Sequence, residues 1–158
     1  MLRAQRQFDE SLRLFREAAG RQAVALHLRP KNQTFLELRC KHQAQIADTF
    51  LQMGRAADAA AEARELKRLA PGDPAVLVRA SSLLVNCARL AQQTPDRPWA
   101  IRLVLSRAYH IEAVALLRQA AAKGLANPIQ VLGDPVLDPV RNREEFRLLL
   151  HEVTADRH

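Results

Sequence analysis

Glycine, cysteine and aromatic residues are all scarce in this 158-residue chain, and each scarcity removes a class of chemistry. The five glycines are scattered, and none belongs to a glycine-rich loop able to cradle a nucleotide phosphate. His-Arg-Asp and Asp-Phe-Gly are missing too, so the chain has no parts for phosphoryl transfer. Cys40 and Cys87 lie far apart on helix-forming segments, which supports neither a disulfide framework nor a zinc site and predicts buried, reduced thiols. Aromatics make up 4% of the residues, too few for a base-stacking platform. Arg3, Arg6, Asp9, Glu10, Arg13 and Arg16 interrupt the first twenty residues and exclude a signal-peptide core. No later run reads as the roughly 18 apolar residues that cross a bilayer, so no membrane association and a cytoplasmic location are expected.

Candidate catalytic and metal-binding groups fare no better. His110-Ile111-Glu112 matches half of a zinc-deaminase motif, but the Pro-Cys-x-x-Cys half is missing and the tripeptide falls in a predicted helix. His27, His42, His151 and His158 are scattered and form no close ligand pair. Ser81 and Ser82 lack a Gly-x-Ser-x-Gly elbow and read as small packing or back-bonding residues. The expectation is a protein that is not an enzyme and carries no cofactor or metal.

What the chain does contain is helix-forming material. It is 48% hydrophobic, and Ala, Leu, Arg, Gln and Glu dominate, a composition that predicts one all-α domain over 1–158. Segment 1–31 holds an amphipathic helix through Leu2, Phe8, Leu12, Leu14, Phe15, Ala18 and Ala19, loosened at Gly20 and interrupted by Pro30. Asn32 is the next expected N-cap.

Between Cys40 and Asp73 the pattern fits a helix–turn–helix repeat of about 34 residues, the tetratricopeptide (TPR) period. Ile46 and Phe50 fill the layer between two helices, Ala47 and Ala59 let them approach, Gly54 makes the turn and Pro71 blocks continuation. Over 74–124 a modified hairpin follows. Asp73-Pro74 starts a helix with the stripe Leu77, Ala80, Leu84, Cys87, Ala88 and Ala91. A longer helix then carries Ile101, Leu105, Ala108, Tyr109, Ala113, Leu116, Leu117 and Ala120 up to Gly124.

The segment 125–158 is the most distinctive. Asn127-Pro128 suggests a short turn, Asp134-Pro135 and Asp138-Pro139 each suit a capped first turn, and Asn142 with Glu145 has capping-box spacing before a last helix faced by Phe146, Leu149 and Leu150. The run from Asp134 to Phe146, including Arg141 and Arg143, resembles the tail that closes the TPR region of planctomycete-type serine/threonine protein kinases. Pro30-Lys31-Asn32-Gln33-Thr34-Phe35 and Ile46-Ala47-Asp48-Thr49-Phe50 resemble the same kinase-attached region, and the likeness spans about residues 30 to 152, with Val140 and Glu145 as mild departures. The resemblance implies short TPR-like helical hairpins closed by a C-terminal cap, without the kinase domain.

A non-catalytic interaction or scaffold module follows from that resemblance, with a protein or peptide partner, an adjoining kinase domain or a second copy as candidate partners. Repeat register places Lys41, Gln45, Asp48 and Gln52 on the exposed face of the first TPR helix as the candidate partner-binding residues. They do not reproduce the Lys/Asn clamp of chaperone-binding TPR proteins. An apolar edge near Leu2, Phe8 and Phe15 also admits a purely structural segment that supports a neighbouring domain or a homodimer. The alternative is a basic helical nucleic-acid-binding protein, motivated by the net charge of +7, although the basic residues are interspersed among 17 acidic ones and form no dense block.

Overall fold

A computed structural model describes the backbone of residues 2–155 and the side chains of residues 5–155. The side chain of Leu2, and His158, lie outside the described residues. Among the described residues there are eight α-helices, one 3-10 turn and no strands. The helices are α1 Leu2–Leu28, α2 Gln33–Gln52, α3 Ala56–Leu69, α4 Pro74–Gln93, α5 Trp99–Ala122, α6 Pro128–Leu132, α7 Asp138–Arg141 and α8 Glu144–Ala155, with the 3-10 turn at Pro135–Leu137.

The helix boundaries have local causes. Phe35 donates its N–H to Asn32 Oδ1 at 3.0 Å, and Asp73 Oδ1 accepts from Ala75 at 2.9 Å, so both expected N-caps close their helices. Gly54 (φ +76°) and Gly124 (φ +83°) adopt the left-handed conformation that ends α2 and α5. Gly20 does not end α1, which runs unbroken through it to Leu28. A glycine inside a helix costs only about 1 kcal/mol, which packing of α1 on α2 outweighs. These positions predict opposite responses. Gly54→Ala and Gly124→Ala should each lower stability by about 1–2 kcal/mol. Gly20→Ala, whose new Cβ meets nothing within 4 Å, should raise it by about 0.5–1 kcal/mol, all three read by urea denaturation.

Each helix from α1 to α5 packs on the next, and α2 also lies beside α4. Ala47, Ala59, Ala60, Ala63, Ala80 and Ala88 are fully buried, which lets these helices approach closely around Phe50, Leu66, Leu77, Leu84 and Leu117. Ile46 is buried with them, while Pro71 stands exposed in the turn after α3. By length and mean hydropathy (1.2) α4 could cross a membrane, contrary to the sequence expectation, yet half of that stretch is buried in this fold. Its apolar residues form the centre of the core between α3 and α5.

The C-terminal segment folds back over this core. α8 packs on α5 and α6, while the 3-10 turn and α7 pack on α4. Asp134 Oδ1 accepts from Val136 N at 2.8 Å and starts the 3-10 turn, as its proline predicts, whereas Asp138 lies inside α7 as its first residue and does not cap it, its carboxylate being turned to Arg141. Arg141 donates to the carbonyls of Gly133 and Asp134, both at 3.1 Å, and pairs with Asp138 at 2.7 Å, tying the segment together. Phe146 and Leu149 are each 1% exposed and anchor α8, whereas Leu150 turns outward. Asn142 does not cap α8, because it ends α7 and α8 begins at Glu144. A further difference from expectation lies on α5. Ile101 and Ala108, placed in its buried stripe by periodicity, are exposed.

Candidate partner-binding groove

Three helices converge around a depression of about 660 Å³. Helix α1 contributes Gln7, Phe8, Ser11 and Phe15, α2 contributes Gln45, Asp48, Thr49, Leu51 and Gln52, and α4 contributes Asn86, Arg89, Leu90 and Gln93. The spacing explains the convergence: Gln45, Asp48 and Gln52 recur on one face of α2, and Asn86, Arg89 and Gln93 on one face of α4. Because α2 and α4 lie side by side, the two faces become one surface, and α1 forms its wall. A second depression of about 320 Å³ continues along α2 and α4 past Lys41, Gln45, Asp48, Val76 and Arg79.

All four residues expected at a partner-binding face therefore line one depression or the other. One of them differs from the expectation in its chemistry. Asp48 is held by Arg79 of α4 in an ion pair that bridges the two helices, so its carboxylate is already partnered. Among the described residues Lys41 and Arg89 have no acidic partner, and the surface carries excess positive charge. Phe8 and Phe15, read from the sequence as an apolar edge, are half-buried in the wall of the larger depression.

Other residues of α2, none of them lining either depression, make polar and cation–π contacts with their surroundings. Phe50 lies under two guanidinium groups, with Arg55 Cζ 4.7 Å and Arg16 Cζ 5.5 Å from its ring centroid. Gln43 donates to Glu62 across α2 and α3, and burial pushes the Glu62 carboxyl up despite the nearby Arg16. His42 Nδ1 lies 2.8 Å from Gln22 Oε1 and links α2 to α1. The contribution of α4 has no signal in the sequence, and Phe8 and Phe15 of α1 read there only as an apolar edge, because the depression depends on three helices meeting.

The residue types capable of catalysis sit elsewhere. His110 is buried, while Glu112 points to another side of α5 and is gripped by Arg64 at 2.8 and 2.9 Å, so the two do not converge. Ser81 donates to the Ala113 carbonyl at 2.9 Å, and Ser82 back-bonds to Val78 at 3.1 Å. Cys40 and Cys87 are free and buried, and burial pushes the Cys87 thiol up to about 12, which keeps it an unreactive thiol. Among the described residues no three His, Cys, Asp or Glu side chains gather as a metal site. Comparison with family models, with curated proteins and with solved structures returns no match to this chain.

Proposed function

We propose that this chain is a TPR-type interaction module, similar to the C-terminal scaffold of planctomycete-type serine/threonine kinases, that holds a peptide segment of a protein partner along α2 and α4. One observation carries the reading: polar residues of α2 and α4 line two adjacent depressions that share Gln45 and Asp48, the larger of them walled by α1. The side-chain amides of Gln7, Gln45, Gln52 and Gln93 can donate to and accept from a peptide backbone. Phe8, Phe15 and Leu90 offer apolar contact, and Lys41 and Arg89 favour acidic side chains. An adjoining kinase domain or its substrate is a partner of the right kind.

A peptide array probed with the purified chain tests this directly. Acidic segments with interspersed apolar residues should bind, and Lys41→Glu with Arg89→Glu should weaken that binding about 10- to 100-fold, the loss of one or two charge-assisted contacts. Affinity unchanged by both reversals would remove the groove from the proposal. The nucleic-acid alternative rests on the +7 charge, but Arg55, Arg64, Arg79 and Arg118 are among the arginines held in ion pairs. RNA binding that falls steeply with salt would favour that alternative, since phosphate contacts release counterions.

A further inference from the structure

Helix α5 has two apolar faces, and this chain covers only one of them. Ser106, Tyr109, Ala113, Leu117 and Ala120 are buried against the rest of the fold. On another side, Ile101, Val104, Ala108, Ile111 and Ala115 recur at alternating steps of three and four. Those steps make a straight seam of the kind that packs against another helix. The seam is open: Val104 is 66% exposed, Ile101 47% and Ile111 46%. Over 15 residues it runs about 20 Å, and a helix with polar side chains there would fold equally well.

We infer that this seam binds the same seam of a second copy of the chain, with the two α5 helices parallel about a two-fold axis. Two features select a second copy. In a parallel symmetric pair each seam residue meets its own counterpart, so Ala108 faces Ala108 and Ala115 faces Ala115, which lets the backbones approach while Ile101, Val104 and Ile111 fill the layers between. The flanking charges also match. Arg107 borders the seam on one side and Glu112 on the other, five residues apart, the offset at which flanking residues of parallel helices meet. The symmetry makes the Arg107 to Glu112 pair twice, whereas antiparallel helices would place the two Arg107 side chains along the same flank. Arg64 of the same chain already bonds both oxygens of Glu112, so in the pair that carboxylate is shared between two guanidinium groups. No residue of α5 lines the depressions between α1, α2 and α4, so a pair built this way leaves both grooves open. This inference is independent of the peptide-binding reading.

Sedimentation equilibrium of the full chain over a wide concentration series tests it. The mass should rise about twofold with concentration, and Val104→Glu or Ile111→Glu, both on exposed positions, should return it to the monomer with the helical circular-dichroism spectrum kept. Ala108→Cys should give a cross-linked dimer under mild oxidation, because facing seam positions in parallel helices lie within disulfide reach. The native thiols are buried and should not compete. A chain that stays monomeric at the highest concentration, or a dimer that survives both glutamate substitutions, overturns the inference. Cross-linking only when Ile111→Cys is added to Ala108→Cys overturns the parallel arrangement. A monomer whose Trp99 fluorescence shifts to the blue on anionic phospholipid vesicles would assign the face to lipid instead.

Discussion

Acidification from pH 7 to pH 4 should cost the fold about 3 kcal/mol through one side chain, His110. The imidazole is 4% exposed, and among the described residues neither ring nitrogen has a hydrogen-bond partner. Burial is the larger cause, and the positive charge of Arg143 the smaller, of a shift that pushes His110 down from 6.5 to about 4. The sign follows from proton counts. Between those two values the unfolded imidazole carries a proton and the folded one does not, so stability is complete above 6.5 and falls as the pH drops towards 4. Glu62 acts in the opposite sense, because its raised carboxyl takes up a proton more readily when folded. The carboxyl of Glu65, held down chiefly by its hydrogen bond from Arg68, adds an acid loss only at and below the ordinary carboxylate range. His110→Leu fills nearly the same space without a titrating ring, so the loss between pH 6.5 and 5 should disappear, leaving only the opposite trend that Glu62 contributes. Urea denaturation at pH steps through this window checks both chains, and equal slopes for the two would refute the assignment to His110.

Removing the ring of Phe146 should cost about 3–5 kcal/mol, the range for truncating a buried aromatic side chain. This residue is among the largest fully buried side chains, and with Leu149 it fastens α8 to the rest of the fold. Its neighbour Leu148 is 53% exposed, so Leu148→Ala should change stability by less than about 0.5 kcal/mol. The contrast between adjacent positions separates core packing from helix propensity, which Leu→Ala barely alters. Thermal and urea unfolding of both variants provide the check. A Phe146→Ala loss under about 1 kcal/mol would mean that α8 is an ornament on a core able to stand without it. Arg141→Ala should fall between the two, because it removes the bonds to Gly133 and Asp134 as well as the Asp138 pair.

Local chemistry was readable directly from the residues. Asn32, Asp73 and Asp134 cap their turns, and Gly54 and Gly124 end helices, because each effect is settled within three or four neighbours. The stripe of α4 from Leu77 to Ala91 is buried throughout, since a long periodic run leaves one face for the core. Periodicity could not say what covers a face. On α5 the sequence offers apolar residues on nearly all sides, so Ile101 and Ala108 read as core while the fold leaves them open. The four groove residues of α2 were legible as an exposed helix face. Phe8 and Phe15 of α1 read only as an apolar edge; that they join α2 and α4 around one depression, and that Asp48 pairs with Arg79, was not legible, because residues 31 positions apart meet only through packing.

The sequence by itself determined that this chain is helical, where most of its helices begin and end, and which small residues let them approach. These follow from capping, backbone conformation and side-chain volume, all short-range. Only the tertiary structure decided that α1 runs on through Gly20 to wall a groove, that His110 is sealed without a partner and that one apolar face of α5 stays open. Each of those depends on which helices come to lie beside one another, and burial is a property of that arrangement rather than of any residue's neighbours in the chain.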